Sequence, residues 1–163
     1  MKRIKTYVLL LIFSIFAIFS LSSCNDGLIS LEIKSDSMLR DSRLEDLPKW
    51  KDYSIKDFGS GDIIKYKEIT EDNISTLKVG DVIVFKWVVN GNQALIAHRI
   101  VSTMNTSNGS VFITQGDRIA QTNPYNDNLD AKDKYIMESA GIYEVVSQES
   151  IIGIVVSVEY KNK

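Results

Sequence analysis

The sequence predicts an all-β domain of the antiparallel barrel or sandwich kind, and two observations carry that prediction. From residue 61 onward the chain is a succession of short apolar, β-branched runs separated by Gly, Asn and Asp. Between two of these runs stands Asn90-Gly91, a pair that tolerates the positive φ of a tight hairpin turn and so predicts antiparallel pairing of its flanks.

Taken in order, Leu28 to Ile33 reads as a short strand. Residues 39 to 59 are charged and irregular, with Leu44, Leu47, Trp50 and Tyr53 at near-helical spacing interrupted by Pro48, which limits any helix there to a short one. Strands are expected from Gly61 to Tyr66 and from Gly80 to Val89, with a return strand from Ala94 to Thr103. Asn105 to Gly109 is a second turn and Val111 to Gln115 the next strand. Gly116 to Lys134 has the Pro, Asn and Asp content of an irregular loop. Ile142 to Val146 and Ile151 to Tyr160 close the sheet. There is no internal repeat.

The start of the chain differs from the rest. Lys2, Arg3 and Lys5 precede an uncharged run from Thr6 to Ser23, the pattern of a membrane helix whose basic end stays in the cytoplasm. The chain therefore divides into an N-terminal anchor or lipoprotein signal segment, residues 1–24, and an extracytoplasmic β domain, residues 25–163. Two fates fit the first segment: an uncleaved transmembrane helix, or cleavage at Leu21-Ser22-Ser23-Cys24, which looks like a lipobox with Cys24 as the lipidated residue. Both tether the domain to membrane lipid. Ser37 lies thirteen residues beyond Cys24, within about 45 Å of the membrane even if that stretch is fully extended.

Composition excludes several classes. A net charge of −2 with no basic cluster after residue 5 argues against nucleic acid as a partner. A single cysteine rules out an internal disulfide and a thiolate metal cluster, and a single histidine argues against a histidine-built metal site. No cofactor is expected. Among 163 residues, what remains after the anchor suits one ordinary domain.

The chemistry concentrates in a few strings whose order matters more than any one of them. Ser35-Asp36-Ser37-Met38 is followed by Gly61-Asp62, Gly80-Asp81, then Ala97-His98-Arg99-Ile100-Val101, then Thr114-Gln115-Gly116-Asp117. A serine hydroxyl becomes nucleophilic when a base takes its proton, and His98 is the one imidazole in the chain. On composition alone His98 reads rather as a strand histidine satisfied by a backbone carbonyl. The succession resembles the type I signal peptidases, in the branch that uses serine and histidine (endoplasmic-reticulum, archaeal and sporulation-type enzymes). That resemblance implies Ser37 as nucleophile, His98 as general base and Ser35 as an oxyanion donor, although a serine there also suits a simple turn. It implies that a Gly-Asp loop supplies the acid that orients the histidine. Asp127, in Asn123-Pro124-Tyr125-Asn126-Asp127, is the expected acid, Asp130 the alternative, and Asp117 a carboxylate standing behind the site. Asp62 and Asp81, each after a glycine at a strand start, suit turns rather than chemistry. Two features depart from the family pattern: Arg40 stands where a proline is common, and the stretch from Gly116-Asp117 to Asp127 is longer than usual.

The function expected from this resemblance is a membrane-bound serine endopeptidase that cleaves signal peptides from secretory preproteins after small residues, as part of protein secretion. The rival expectation is a membrane-tethered lipoprotein that keeps the fold as a binding or scaffold domain without turnover.

Overall fold

The computed structural model describes residues 27–47, 49–107 and 109–161. The anchor or lipidation expectations for residues 1–24, Cys24 included, lie outside the described residues, as does Pro48. Among the described residues no helix is long and apolar enough to cross a membrane.

Seven antiparallel strands form the domain: β1 (Leu28–Glu32), β2 (Ile63–Glu68), β3 (Val82–Val89), β4 (Asn92–Thr106), β5 (Gly109–Gln115), β6 (Glu144–Ser147) and β7 (Ile151–Glu159). They make one sheet in the order β1-β2-β7-β3-β4-β5-β6, so the all-β expectation holds. The hydrogen-bonded ladder does not close into a barrel, because β1 and β6 are both edges. Instead the sheet carries apolar side chains on both faces. Val82 and Val84 of β3 enter one cluster with Met38, Phe58 and Ile64, while Ile83 and Phe85 enter a second with Ile100, Phe112 and Val146. Strand alternation sends neighbours to opposite faces, so β3 is buried on both and forms the middle of the molecule.

The hairpin expectation also holds. Val89 pairs with Asn92, leaving a two-residue loop in which Asn90 and Gly91 have φ of 50° and 78°. Such a turn matches the twist of the strands it joins. Strand β4 is fifteen residues long and serves two partners in succession. Its first part, through Arg99, pairs with β3, and its second, from Arg99 on, pairs with β5 across a register shift between Ile100 and Ser102. That irregularity re-aims the strand. The consequence matters for the site: among the described residues, no strand pairs with the second edge of Asn92–His98.

The segment expected to be a loop from Gly116 to Lys134 contains two helices, α1 (Asp117–Ala120) and the start of α2 (Ala131–Ser139). Helix α2 buries none of its side chains, so no apolar periodicity announced it. Its start is set by Asp130, whose carboxylate accepts the Asp133 amide at 2.8 Å, an ordinary N-cap. Asp130 is a cap, not an acid facing His98.

Candidate active site

The nucleophile candidate is placed by the loop that leaves β1. Ile33 continues the edge pairing, donating to Asp62 O and accepting from Gly61 N. The chain then turns at Asp36, whose carbonyl accepts the Leu39 amide at 3.0 Å and whose carboxylate accepts the Ser60 amide at 2.9 Å. Met38 plunges into the core with 1% exposure and pins the turn from below. Ser37 is left half-buried at the surface. Its carbonyl accepts the Arg118 amide at 3.0 Å, which ties the serine turn to the Gly116-Asp117 segment.

His98 is the last residue of β4 before that strand passes to β5. It is buried, with Phe85 packed edge-on at a ring separation of 6.4 Å. Its Nε2 lies 2.9 Å from Ser37 Oγ. Its Nδ1 lies 3.0 Å from Glu144 Oε2. The pair of contacts assigns the tautomer: Nδ1 carries the proton and donates it to the carboxylate, leaving Nε2 to accept from the serine. Ser35 Oγ lies 3.3 Å from Ser37 Oγ, exposed beside the candidate nucleophile.

The carboxylate on the imidazole is therefore Glu144, and neither Asp127 nor Asp130. Asp127 instead accepts from Ser102 Oγ at 3.0 Å, and its charge adds to burial in pushing the Tyr125 hydroxyl up to about 12. The path of the chain after Gly116-Asp117 brings Asp127 to Ser102, on β4 beyond the bend. Glu144 reaches His98 from two strands away. It sits opposite Thr114 in the β5–β6 ladder, and cross-strand partners share a face. Thr114 Oγ1, fully buried, donates to the same Oε2 at 2.8 Å. Strands lie about 4.8 Å apart, so a side chain on β6 must cross β5 to meet β4. Just past the end of β5 stands Gly116, where a Cβ would come 3.1 Å from His98 Nε2 and 2.7 Å from Ser37 O. The lack of a side chain there leaves room for the Ser37–His98 contact.

The signal for Glu144 was present in the chain: an acidic residue heading the apolar run Val145-Val146. A carboxylate entering a strand of that kind needs a partner, but nothing local says which one. Glu144→Asp, shorter by about 1.5 Å, and Glu144→Gln are both expected to lower kcat by on the order of 100-fold or more. Asp127→Asn should stay within the roughly 0.5 kcal/mol of an ordinary surface change. Steady-state kinetics on the three variants decides between the two acids, because the Asp127 assignment demands the reverse order.

Asp117 stands behind the site in a different role. It is buried to 1% and takes a bidentate pair from Arg99, Nε at 2.8 Å and Nη2 at 2.7 Å. Arg99 also donates to Gly80 O and Ile55 O, and its guanidinium stacks over Tyr53 at 4.2 Å. Burial pushes the Asp117 carboxyl up, with Arg99 working against it. Arg99 follows His98, and Asp117 follows Gly116. The pair thus clamps β4, which carries the imidazole, to the segment after β5 that carries the glycine beside it. Asp62 is a turn residue as expected, its carboxylate taking the Gly59 and Lys161 amides. Asp81 likewise takes the Lys78 amide.

A groove of about 680 Å³ opens at Ser37 and His98. Leu31 to Ser35 form one wall and Ala94 to Ala97 the other, with Phe58 and Val89 also lining it. One wall is thus the chain at the end of the edge strand β1, the other the unpaired side of β4. Among the described residues no cluster of three His, Cys, Asp or Glu side chains is placed to hold a metal ion.

An all-antiparallel β domain thus carries a serine, a histidine and a glutamate hydrogen-bonded in series at the end of a groove, an order in which a base could take the serine's proton. Compared with protein-family models, with curated proteins and with solved structures, the chain matches none.

Proposed function

We propose that the chain is a serine endopeptidase of the signal peptidase I kind, working by a Ser37–His98–Glu144 relay. The observation that carries this reading is the unbroken run Ser37 Oγ, His98 Nε2, His98 Nδ1, Glu144 Oε2, with steps of 2.9 and 3.0 Å across the ring. Three residues 46 or more positions apart in pairs His98–Glu144 and Ser37–His98 have no structural need to meet in this order.

In this reading an extended peptide enters the groove and adds to the unpaired edge of β4, so that main-chain bonds hold it and side-chain pockets select it. Leu31, Ile33 and Phe58 provide apolar walls for small side chains at the first and third positions before the cut. Ser37 Oγ attacks the scissile carbonyl as His98 Nε2 takes its proton. Glu144 stabilises the imidazolium that forms and holds the ring in its productive orientation. The Ser35 hydroxyl, with the Ser37 amide, serves the developing oxyanion; one such donor is worth about 2.7–4 kcal/mol. The imidazolium then protonates the leaving amine, and water releases the acyl group by the reverse relay. Secretory preproteins are the proposed substrates, met at the outer membrane face to which residues 1–24 tether the domain.

The test is cleavage of a secretory precursor with small residues before the cut by the full-length protein, with fragments read by mass spectrometry. Wild type is expected to cut at one bond and Ser37→Ala to leave it intact while folding normally. A folded wild type that binds the precursor without cutting it overturns this reading in favour of a scaffold domain.

A further inference from the structure

We propose that Gln115 is a positioning residue for Glu144: it is the clasp that holds the returning chain so that the glutamate meets His98. The proposal rests on the relay described above. The ladder between β5 and β6 ends at the pair Thr114–Glu144, so the acid sits on the last rung of a four-residue edge strand. Strand ends of this kind open most readily. Immediately before that rung the chain comes back from a long excursion, Asp117 to Tyr143, whose helix α2 buries no side chain and lends little anchorage.

Gln115 is the first β5 residue beyond the ladder, and its side chain continues the pairing where the strands stop. Its amide nitrogen donates to Ile142 O at 3.0 Å, two residues before the glutamate, and to Asn123 O at 2.7 Å. Its amide oxygen accepts the Tyr125 N–H at 3.1 Å. One side chain, 1% exposed, thereby joins the outgoing and incoming limbs of the excursion. Its neighbour Thr114 holds the carboxylate itself, so β5 fixes the acid both through its main chain and at its oxygen. The edge-on contact of Tyr125 with Tyr143, at 5.0 Å, packs the same two limbs together. That contact does not involve Gln115, so it is still available to join the limbs when the Gln115 bonds are removed.

The chain has one histidine, so its imidazole can be read by itself in the full-length protein, labelled with 15N-histidine in detergent micelles. Wild type is expected to show a single tautomer with the proton on Nδ1, slow to exchange. Gln115→Met keeps the volume and removes all of the clasp's hydrogen bonds. It is expected to convert the signal to a mixture of tautomers with a fast-exchanging Nδ1 proton, and to lower kcat roughly tenfold or more with KM unchanged. Gln115→Asn, which retains the amide on a shorter arm, should fall between. An unchanged tautomer and exchange rate in folded Gln115→Met overturns the proposal. So does unfolding of both variants, since Gln115 would then hold the domain rather than the acid. The hydrolase reading fails separately: a wild type with the ordered Nδ1 proton but no cleavage ends that reading and leaves the clasp measurable.

Discussion

Changing His98 to alanine is expected to lower peptide cleavage by on the order of ten-thousand-fold or more while the protein stays folded. The chain has no second histidine to replace it. Ser37 Oγ would lose its acceptor at 2.9 Å, and a serine with no base is a weak nucleophile. Single-turnover assays with a secretory precursor read the loss, and near-wild-type turnover would end the relay mechanism. His98→Lys is the more discriminating variant, because a lysine can also serve as the base for a serine nucleophile. A lysine acts as a base only where its ammonium is desolvated and unpaired enough to lose a proton near neutral pH. Here Glu144, 3.0 Å from the imidazole, would instead pair with the ammonium and keep it charged. The lysine variant is therefore expected to be inactive at neutral pH. Removing Glu144 as well should not make it fully active, since the close approach of Gly116 to His98 Nε2 is fitted to a flat ring.

The largest expected effect on stability belongs to Asp117. Asp117→Ala should destabilise the domain by about 3–5 kcal/mol, the usual result of leaving one partner of a buried pair uncompensated. Arg99 would keep its bonds to Gly80 O and Ile55 O but carry an unpaired charge at 1% exposure. Desolvation already pushes the Asp117 carboxyl up against the pull of Arg99. The pair is therefore better understood as a clamp between β4 and the start of α1 than as a source of net stability. It follows that Asp117→Asn, which keeps an acceptor for the guanidinium, should cost less than Asp117→Ala. Denaturant melts of the two variants check the order; equal losses would mean that the retained acceptor is immaterial and that the lost charge carries the whole cost.

The two residues on which cleavage is proposed to turn were legible because their signals are local. Ser37 stands in a short turn string, and His98 stands beside Arg99 in a strand marked out by the Asn90-Gly91 hairpin. Turn chemistry and two-residue alternation act over a few positions, so the sequence by itself determined the β class, that hairpin and most strand positions. It also carried the order of the serine, histidine and Gly-Asp strings.

Helix α2 was not legible, because it makes no apolar face for periodicity to reveal. Nor was the acid. Asp127 is closer to the Gly116-Asp117 string and sits in the expected place along the chain, yet the excursion carries it to Ser102. Glu144 arrives at His98 only through the pairing of β6 with β5, in which it falls opposite Thr114. A slip of one residue in that register would turn the glutamate to the other face of the sheet. Register between strands joined by a long excursion is decided by non-local contacts, here the Gln115 bonds to Ile142 O and Asn123 O. That is why only the tertiary structure could decide which carboxylate meets the imidazole.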